Sequence, residues 1–175
     1  MRKIIKYFLF IVVLAFHAVL FAGINYVFPH YEVTKVINTD VKRMDKEGLI
    51  SKSNPADALT TRDVYFINTK LPDEQQPMVY RNEDTRWGFP FYFKFDSANL
   101  QAKAQDFAEK QSWVEVKYYG WRFNMFDEFR NVVSIHEVAS PDEVSHPILS
   151  YIFYFFGLLT LFFSIQFIRG WFDSE

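Results

Sequence analysis

The chain reads as an α+β membrane protein: two transmembrane helices flank a β-rich soluble domain. Three observations predict this. An apolar run of more than 20 residues lies near each end of the sequence, long enough to cross a bilayer as a helix. The polar middle holds short β-branched and aromatic runs separated by turn residues, the pattern of strands. One run of strong helix formers interrupts those strands. Three segments follow: an N-terminal anchor over residues 1–28, a β-rich domain over 29–146, and a second helix with a short tail over 147–175.

The first span covers residues 4–27, with Arg2, Lys3 and Lys6 at its start. Those charges place the N-terminus in the cytoplasm by the positive-inside rule. Ala22 and Gly23 would suit a signal-peptide cleavage site, but the apolar run exceeds a usual signal core, so an uncleaved anchor is expected. His17 falls inside this span. With no acid in either span, a neutral imidazole bonded to a backbone carbonyl or to the other helix is expected rather than a proton carrier. The second span covers residues 148–168 and ends at Arg169. Gly157, Thr160 and Ser164 give it a small-residue stripe that could seat the first helix. Two spans return the C-terminus to the cytoplasmic side and put the middle domain outside.

Within that domain, residues 30–37 alternate as a strand and residues 45–61 read as a loop around Gly48, Asn54 and Pro55. Residues 64–67 form a buried strand, 71–77 a turn, and 78–81 a strand that completes a hairpin. Residues 91–95 fit either a strand or an irregular packed segment. Asp96 or Ser97 caps a helix reaching Lys110, with Leu100, Ala104, Phe107 and Ala108 on its packed face. Strands are expected again over 113–123 and 132–138. Two or three strands, a helix, then two strands suit a small barrel of oligonucleotide/oligosaccharide-binding type. The same order permits an α+β sheet with one covering helix.

Composition excludes several functions. A net charge of −2 argues against nucleic acid as a partner, since phosphate binding needs a concentrated basic surface. The absence of cysteine removes disulfides, thiolate zinc sites and cysteine nucleophiles. His30 and His146 lie beside the spans, and His136 and Glu137 are strand neighbours that face opposite ways. No nucleophile-elbow, zincin or P-loop pattern occurs. No catalytic residue, metal site or cofactor is expected. Asp40, Asp45, Asp63, Glu83, Asp84 and Asp96 match no calcium loop and are expected to be solvated or ion-paired.

The sharpest polar feature is Arg81, Glu83, Asp84, Arg86 and Trp87. On a continuous strand, Arg81 would share a face with Glu83, and Asp84 with Arg86. Such charge pairs beside a tryptophan could recognise a partner or simply close the barrel end, and the structural role is the expectation. Trp121 and Arg122 combine an aromatic anchor with a guanidinium in the same way, although aromatics in a strand more often belong to the core.

The stretch RNEDTRWGFPFYFKFDSANLQAKAQ, with TDVKRMD, TRDVYFINTK, MVYRNEDTRWG and YYGWRF, resembles a bacterial membrane-protein family catalogued as a domain of unknown function, number 1523 in that series. The resemblance implies an inner-membrane protein without an assigned reaction, so it carries over no catalytic residue. The expected role is non-enzymatic: an accessory subunit in contact with the lipid bilayer and a membrane-protein partner. The alternative is a periplasmic module for a small anionic or glycan ligand, using Trp87, Trp121 and Arg122.

Overall fold

The computed structural model describes residues 2–45, 50, 61–72 and 77–173. Most of the loop expected at 45–61, and residues 73–76 of the expected turn, lie outside the described residues. Two compact units form. One joins the chain ends, Met1–Phe28 with Pro147–Glu175, and the other is Pro29–His146.

The first unit is a pair of 26-residue helices, α1 (Arg2–Val27) and α3 (Ile148–Asp173). Both are long and apolar enough to cross a membrane. Lys6 contacts Asp173, His17 contacts Thr160, and Asn25 contacts Tyr154. One number rises as the other falls, so the helices run antiparallel. Gly157 sets their approach. The Phe21 ring occupies the space that a β-carbon at Gly157 would need, the close contact small residues permit between apolar helices. His17 makes both bonds anticipated for it, to Val13 O at 2.8 Å and Thr160 Oγ1 at 3.2 Å. Because a carbonyl can only accept, Nδ1 carries the proton of that bond.

The second unit is a closed barrel of five strands in the order β1-β2-β3-β5-β4. The strands are β1 (His30–Met44), β2 (Arg62–Lys70), β3 (Pro77–Asn82), β4 (Trp113–Tyr119) and β5 (Asn131–Glu137). Helix α2 (Ser97–Lys110) lies between β3 and β4 in sequence. Of the two arrangements the element order allowed, the closed barrel is the one formed. β1 runs further than expected, past Ile37 to Met44. It needs that length because its first half pairs with β4 (His30–Lys35) and its second half with β2 (Lys35–Met44). β2 and β3 form the anticipated hairpin. The barrel closes through a parallel contact, Arg81 opposite Asn131.

Alternating strands aim Val36, Ile67, Tyr80, Val114, Val116 and Val132 inward, and α2 adds Leu100, Ala104 and Phe107 to the same core. Each such large side chain stabilises the fold by roughly 1.5–3 kcal/mol on full burial. Ala108 packs at the edge of this core, so the predicted helix face is the one used. A smaller cluster joins Met44, Val64, Phe66 and Phe129.

Two expectations need correction. β4 stops at Tyr119 instead of Phe123, because Gly120 takes a φ of 87°, a conformation that glycine adopts without steric cost. Neither Asp96 nor Ser97 caps α2 with its side chain. The Ser97 amide donates to Asp84 Oδ1 at 2.9 Å, so the cap comes from thirteen residues upstream.

Candidate functional site

β4 ends where β5 begins, with Tyr119 opposite Asn131, and both lie beside the start of β1 through the His30–Tyr118 pair. Two irregular segments are fastened there, residues 83–96 and 120–130.

The first segment leaves β3 after Asn82. Glu83 exchanges two bonds with the Asn131 side chain: its amide donates to Oδ1 at 2.9 Å, and its carbonyl accepts from Nδ2 at 3.1 Å. Asn131 also donates to the Tyr119 hydroxyl at 2.9 Å, and the Tyr92 ring stacks on Tyr119 with centroids 4.9 Å apart. Thr85 to Gly88 forms a turn closed by the Gly88 amide on Thr85 O at 2.8 Å. A β-carbon at Gly88 would sit 3.0 Å from that carbonyl, a tight contact that a larger residue would have to relieve by a small shift. The Arg86 amide donates to Lys94 O, and the Lys94 amide to Thr85 Oγ1.

The pivot of this segment is Lys94, which is only 4% exposed. Its ammonium donates to Asn82 Oδ1 at 2.5 Å and to Val132 O at 2.7 Å. Asn82 in turn donates to Ser97 O and Gln101 Oε1. Burial pushes the Lys94 pKa down from 10.5 to about 8, against the opposing pull of Asp84, Asp96 and Glu83.

Around Lys94 the usual inside–outside order is reversed. Pro90 and Lys94 are buried and Tyr92 half-buried, while Phe89, Phe91, Phe93 and Phe95 face outward. Phe91 is 64% exposed and Trp87 76%. Trp87 meets Phe93 and Phe95 edge-on at 5.6 and 5.5 Å, and Phe91 packs with both Phe89 and Phe93. The five rings form one ridge.

In the second segment, Phe123 bridges to Glu128 and a 3-10 turn, Asn124–Phe126, carries Met125 at 87% exposure and an exposed Phe126. Arg122 lays its guanidinium 3.9 Å over the Phe129 ring and donates to Glu128 O at 2.8 Å. Desolvation lowers its pKa, with Asp127 opposing.

The expected site residues therefore divide. Arg81 and Glu83 come together at 3.2 Å, and Arg62 joins the same carboxylate at 3.0 Å. Asp84 and Arg86 do not share a strand face. The strand has ended at Asn82, Arg86 has a φ of 50° in the turn, and Asp84 is occupied with α2. Trp87 belongs to the aromatic ridge, whereas Trp121 packs with Phe123 and Arg122 with Phe129. Sequence reasoning missed Lys94 as an inward group, together with the outward phenylalanines and Met125. The visible signal was the strict alternation in FPFYFKF, which was open to being read as an ordinary strand.

Glu32 anchors a polar network under the same strand ends. It accepts from Tyr118 at 2.5 Å, from Arg130 at 2.9 Å and from Tyr80. Burial and the Glu32 charge both raise the pKa of Tyr80 and Tyr118. With three donors on one carboxylate, Glu32 is a structural pin. Among the described residues, no group of three or more acids and histidines is placed to hold a metal ion.

The chain is similar to a Haemophilus influenzae protein described as uncharacterized, with 63% identity over 175 residues, covering 100% of this chain and 99% of the relative. Among solved structures it matches a Salmonella typhi PltB homopentamer mutant at 16% identity and a TM-score of 0.40, over 68% of this chain and 92% of that one. A family profile described as a protein of unknown function, DUF1523, matches residues 5–172. The chain belongs to the DUF1523 family.

Proposed function

We propose that this is a two-pass protein of the bacterial inner membrane, with both termini cytoplasmic and the barrel periplasmic, serving as a non-enzymatic accessory subunit of a larger membrane complex. The observation that carries this reading is the helix pair. α1 and α3 pack on each other through a few polar and small contacts while their large apolar side chains, from Ile4 to Phe167, face outward. Water would penalise that arrangement and lipid would accept it. The N-terminal Arg2, Lys3 and Lys6 set the orientation. Lys6 and Asp173 meet at one end of the pair, as two termini on one side require.

The barrel is of the oligonucleotide/oligosaccharide-binding type in this reading, used as a scaffold. Its interior is filled by Tyr80, Ile67, Val36, Val114, Val116 and Val132 at 0–1% exposure. Its rim offers the Arg62–Glu83–Arg81 cluster and Arg86 to a partner, and arginine is enriched at interface hot spots. The ligand-module alternative has less support, because the barrel core is filled by side chains and leaves no room there for a ligand.

The chain is free of cysteine, so single cysteines report topology cleanly. An impermeant maleimide should label Lys103→Cys from the periplasm and Lys3→Cys only after lysis. The reverse pattern would invert the topology. Extraction in mild detergent and native-gel separation should show co-migration with membrane proteins, weakened by Arg81→Ala or Arg86→Ala. A protein that migrates alone, unchanged by either substitution, would end the accessory-subunit reading.

A further inference from the structure

We infer that the aromatic ridge of residues 87–95, together with Met125 and Phe126, is a second membrane contact that seats the barrel in the interfacial zone of the bilayer. The inference rests on the proposed spanning of the membrane by α1 and adds a lipid-facing surface to the barrel itself.

The reversed alternation is the starting point. Seven consecutive residues bury a lysine and a proline and turn four phenylalanines outward. A segment adapted to water would do the opposite, since a buried cation is costly and each phenylalanine gains by burial. The arrangement is also firmly built. Lys94, Tyr92 and Glu83 each fasten the segment to Val132, Tyr119 or Asn131, so the rings are held outward by the same bonds that hold the backbone in place. Trp87 stands at the head of the ridge, and tryptophan is one of the two residues enriched at the membrane–water interface, while the phenylalanines beside it supply apolar surface.

The occupant follows from chain connectivity. Only Phe28 and Pro29 separate the end of α1 from the start of β1, a tether of about 10 Å at full extension. If α1 spans the bilayer, so short a tether holds the start of β1 at the bilayer surface. The ridge and the Met125 turn are both fastened to the strand ends beside that start, at Tyr118, Tyr119, Asn131 and Val132. Two loops from different strands thus display large apolar residues next to the point of attachment. A lipid surface is present there for every molecule.

The test uses the full chain in vesicles of phosphatidylethanolamine and phosphatidylglycerol, with an environment-sensitive fluorophore on single cysteines. Probes at Phe91→Cys and Met125→Cys should shift to the blue and lose most emission to a spin label placed shallow in the lipid chains. A probe at Val41→Cys, exposed on β1 roughly 36 Å further along the strand, should do neither. Ile11→Cys, in the middle of α1, separates the two readings. If Ile11 is not quenched by a deep spin label, the spanning of α1 fails and the inference falls with it. If Ile11 is quenched but residues 91 and 125 remain water-exposed, the spanning reading stands and the lipid contact is refuted. A blue shift seen in native membranes but not in pure lipid would assign the ridge to a protein partner. One that grows with protein density in the vesicles would assign it to a second copy. Either result overturns the inference.

Discussion

Lys94 makes the stability of the barrel depend on pH in a direction opposite to that of a surface ion pair. Its fall from 10.5 to about 8 corresponds to ~3 kcal/mol against the charged form in the folded state. Below about pH 8 the folded and unfolded chains both hold the proton, and this penalty acts in full. Between about pH 8 and 10.5 the unfolded chain keeps the proton and the folded chain releases it. The unfolded state then binds more protons, so stability rises with pH. From about pH 7 to about pH 9.5 the expected gain is ~2 kcal/mol. Tyr80, Tyr92 and Tyr118, whose pKa values are raised, act mainly above the unfolded phenol value of about 10, beyond the comparison from about pH 7 to about pH 9.5.

The control is Lys94→Met, which keeps the stem and removes the amine. It leaves Asn82 Oδ1 and Val132 O without their partner, a loss of roughly 1–3 kcal/mol each that partly offsets the relief from burying a charge. Its net effect at neutral pH is therefore small, and the slope is what discriminates. Guanidinium unfolding of the full chain in mild detergent, followed by near-ultraviolet circular dichroism, should show wild type gaining on the variant as pH rises. A difference that stays flat across the window would refute the argument that Lys94 is buried charged.

Other perturbations follow from named contacts. Asp84→Ala should destabilise the barrel by ~1 kcal/mol through loss of the α2 cap, and Asp96→Ala should cost less; the same unfolding titration ranks them, and the reverse order would return the cap to Asp96. Gly157→Val drives a branched side chain into the Phe21 ring and should cost ~1–3 kcal/mol, read as weakened cross-linking between cysteines placed in α1 and α3. Glu32→Gln removes the charged acceptor of Tyr80, Tyr118 and Arg130 and should cost about 1.5–3 kcal/mol, measured by thermal unfolding in detergent.

Much of the architecture was legible because it rests on periodicity. The two long apolar helices follow from length and hydropathy, the α2 face from the spacing of Leu100, Ala104 and Phe107, and the β2–β3 hairpin from two apolar runs around a polar turn. The site was less legible because it rests on partners distant in sequence. Asp84 reads as half of a local charge pair, yet its bond is to Ser97. Arg86 reads as a strand residue, yet Gly88 bends the chain into a turn whose geometry only the Thr85 carbonyl reveals. Above all, FPFYFKF carries the period of a strand, and the period does not say which set faces inward. Sequence intuition assigns the phenylalanines to the core. The acceptors Asn82 Oδ1 and Val132 O, supplied by β3 and β5, reverse that choice by giving the ammonium of Lys94 a place inside.

The same logic recurs at other described points where the chain leaves the barrel ladder. An irregular segment has no neighbouring strand to satisfy its peptide groups, and unpaired peptide groups are costly once shielded from water. Here polar side chains of the barrel provide the partners. Asn131 takes both peptide groups of Glu83, and the buried Glu115 accepts from the amide of Ser145 at 2.5 Å in the stretch before α3. Fastening by such bonds means that the hydrophobic side chains of an irregular segment are not needed to hold it. They are released from the core and can be displayed. Residues 87–95 use that freedom most fully: the backbone is pinned from the polar side and the aromatic rings are left for a surface outside the fold.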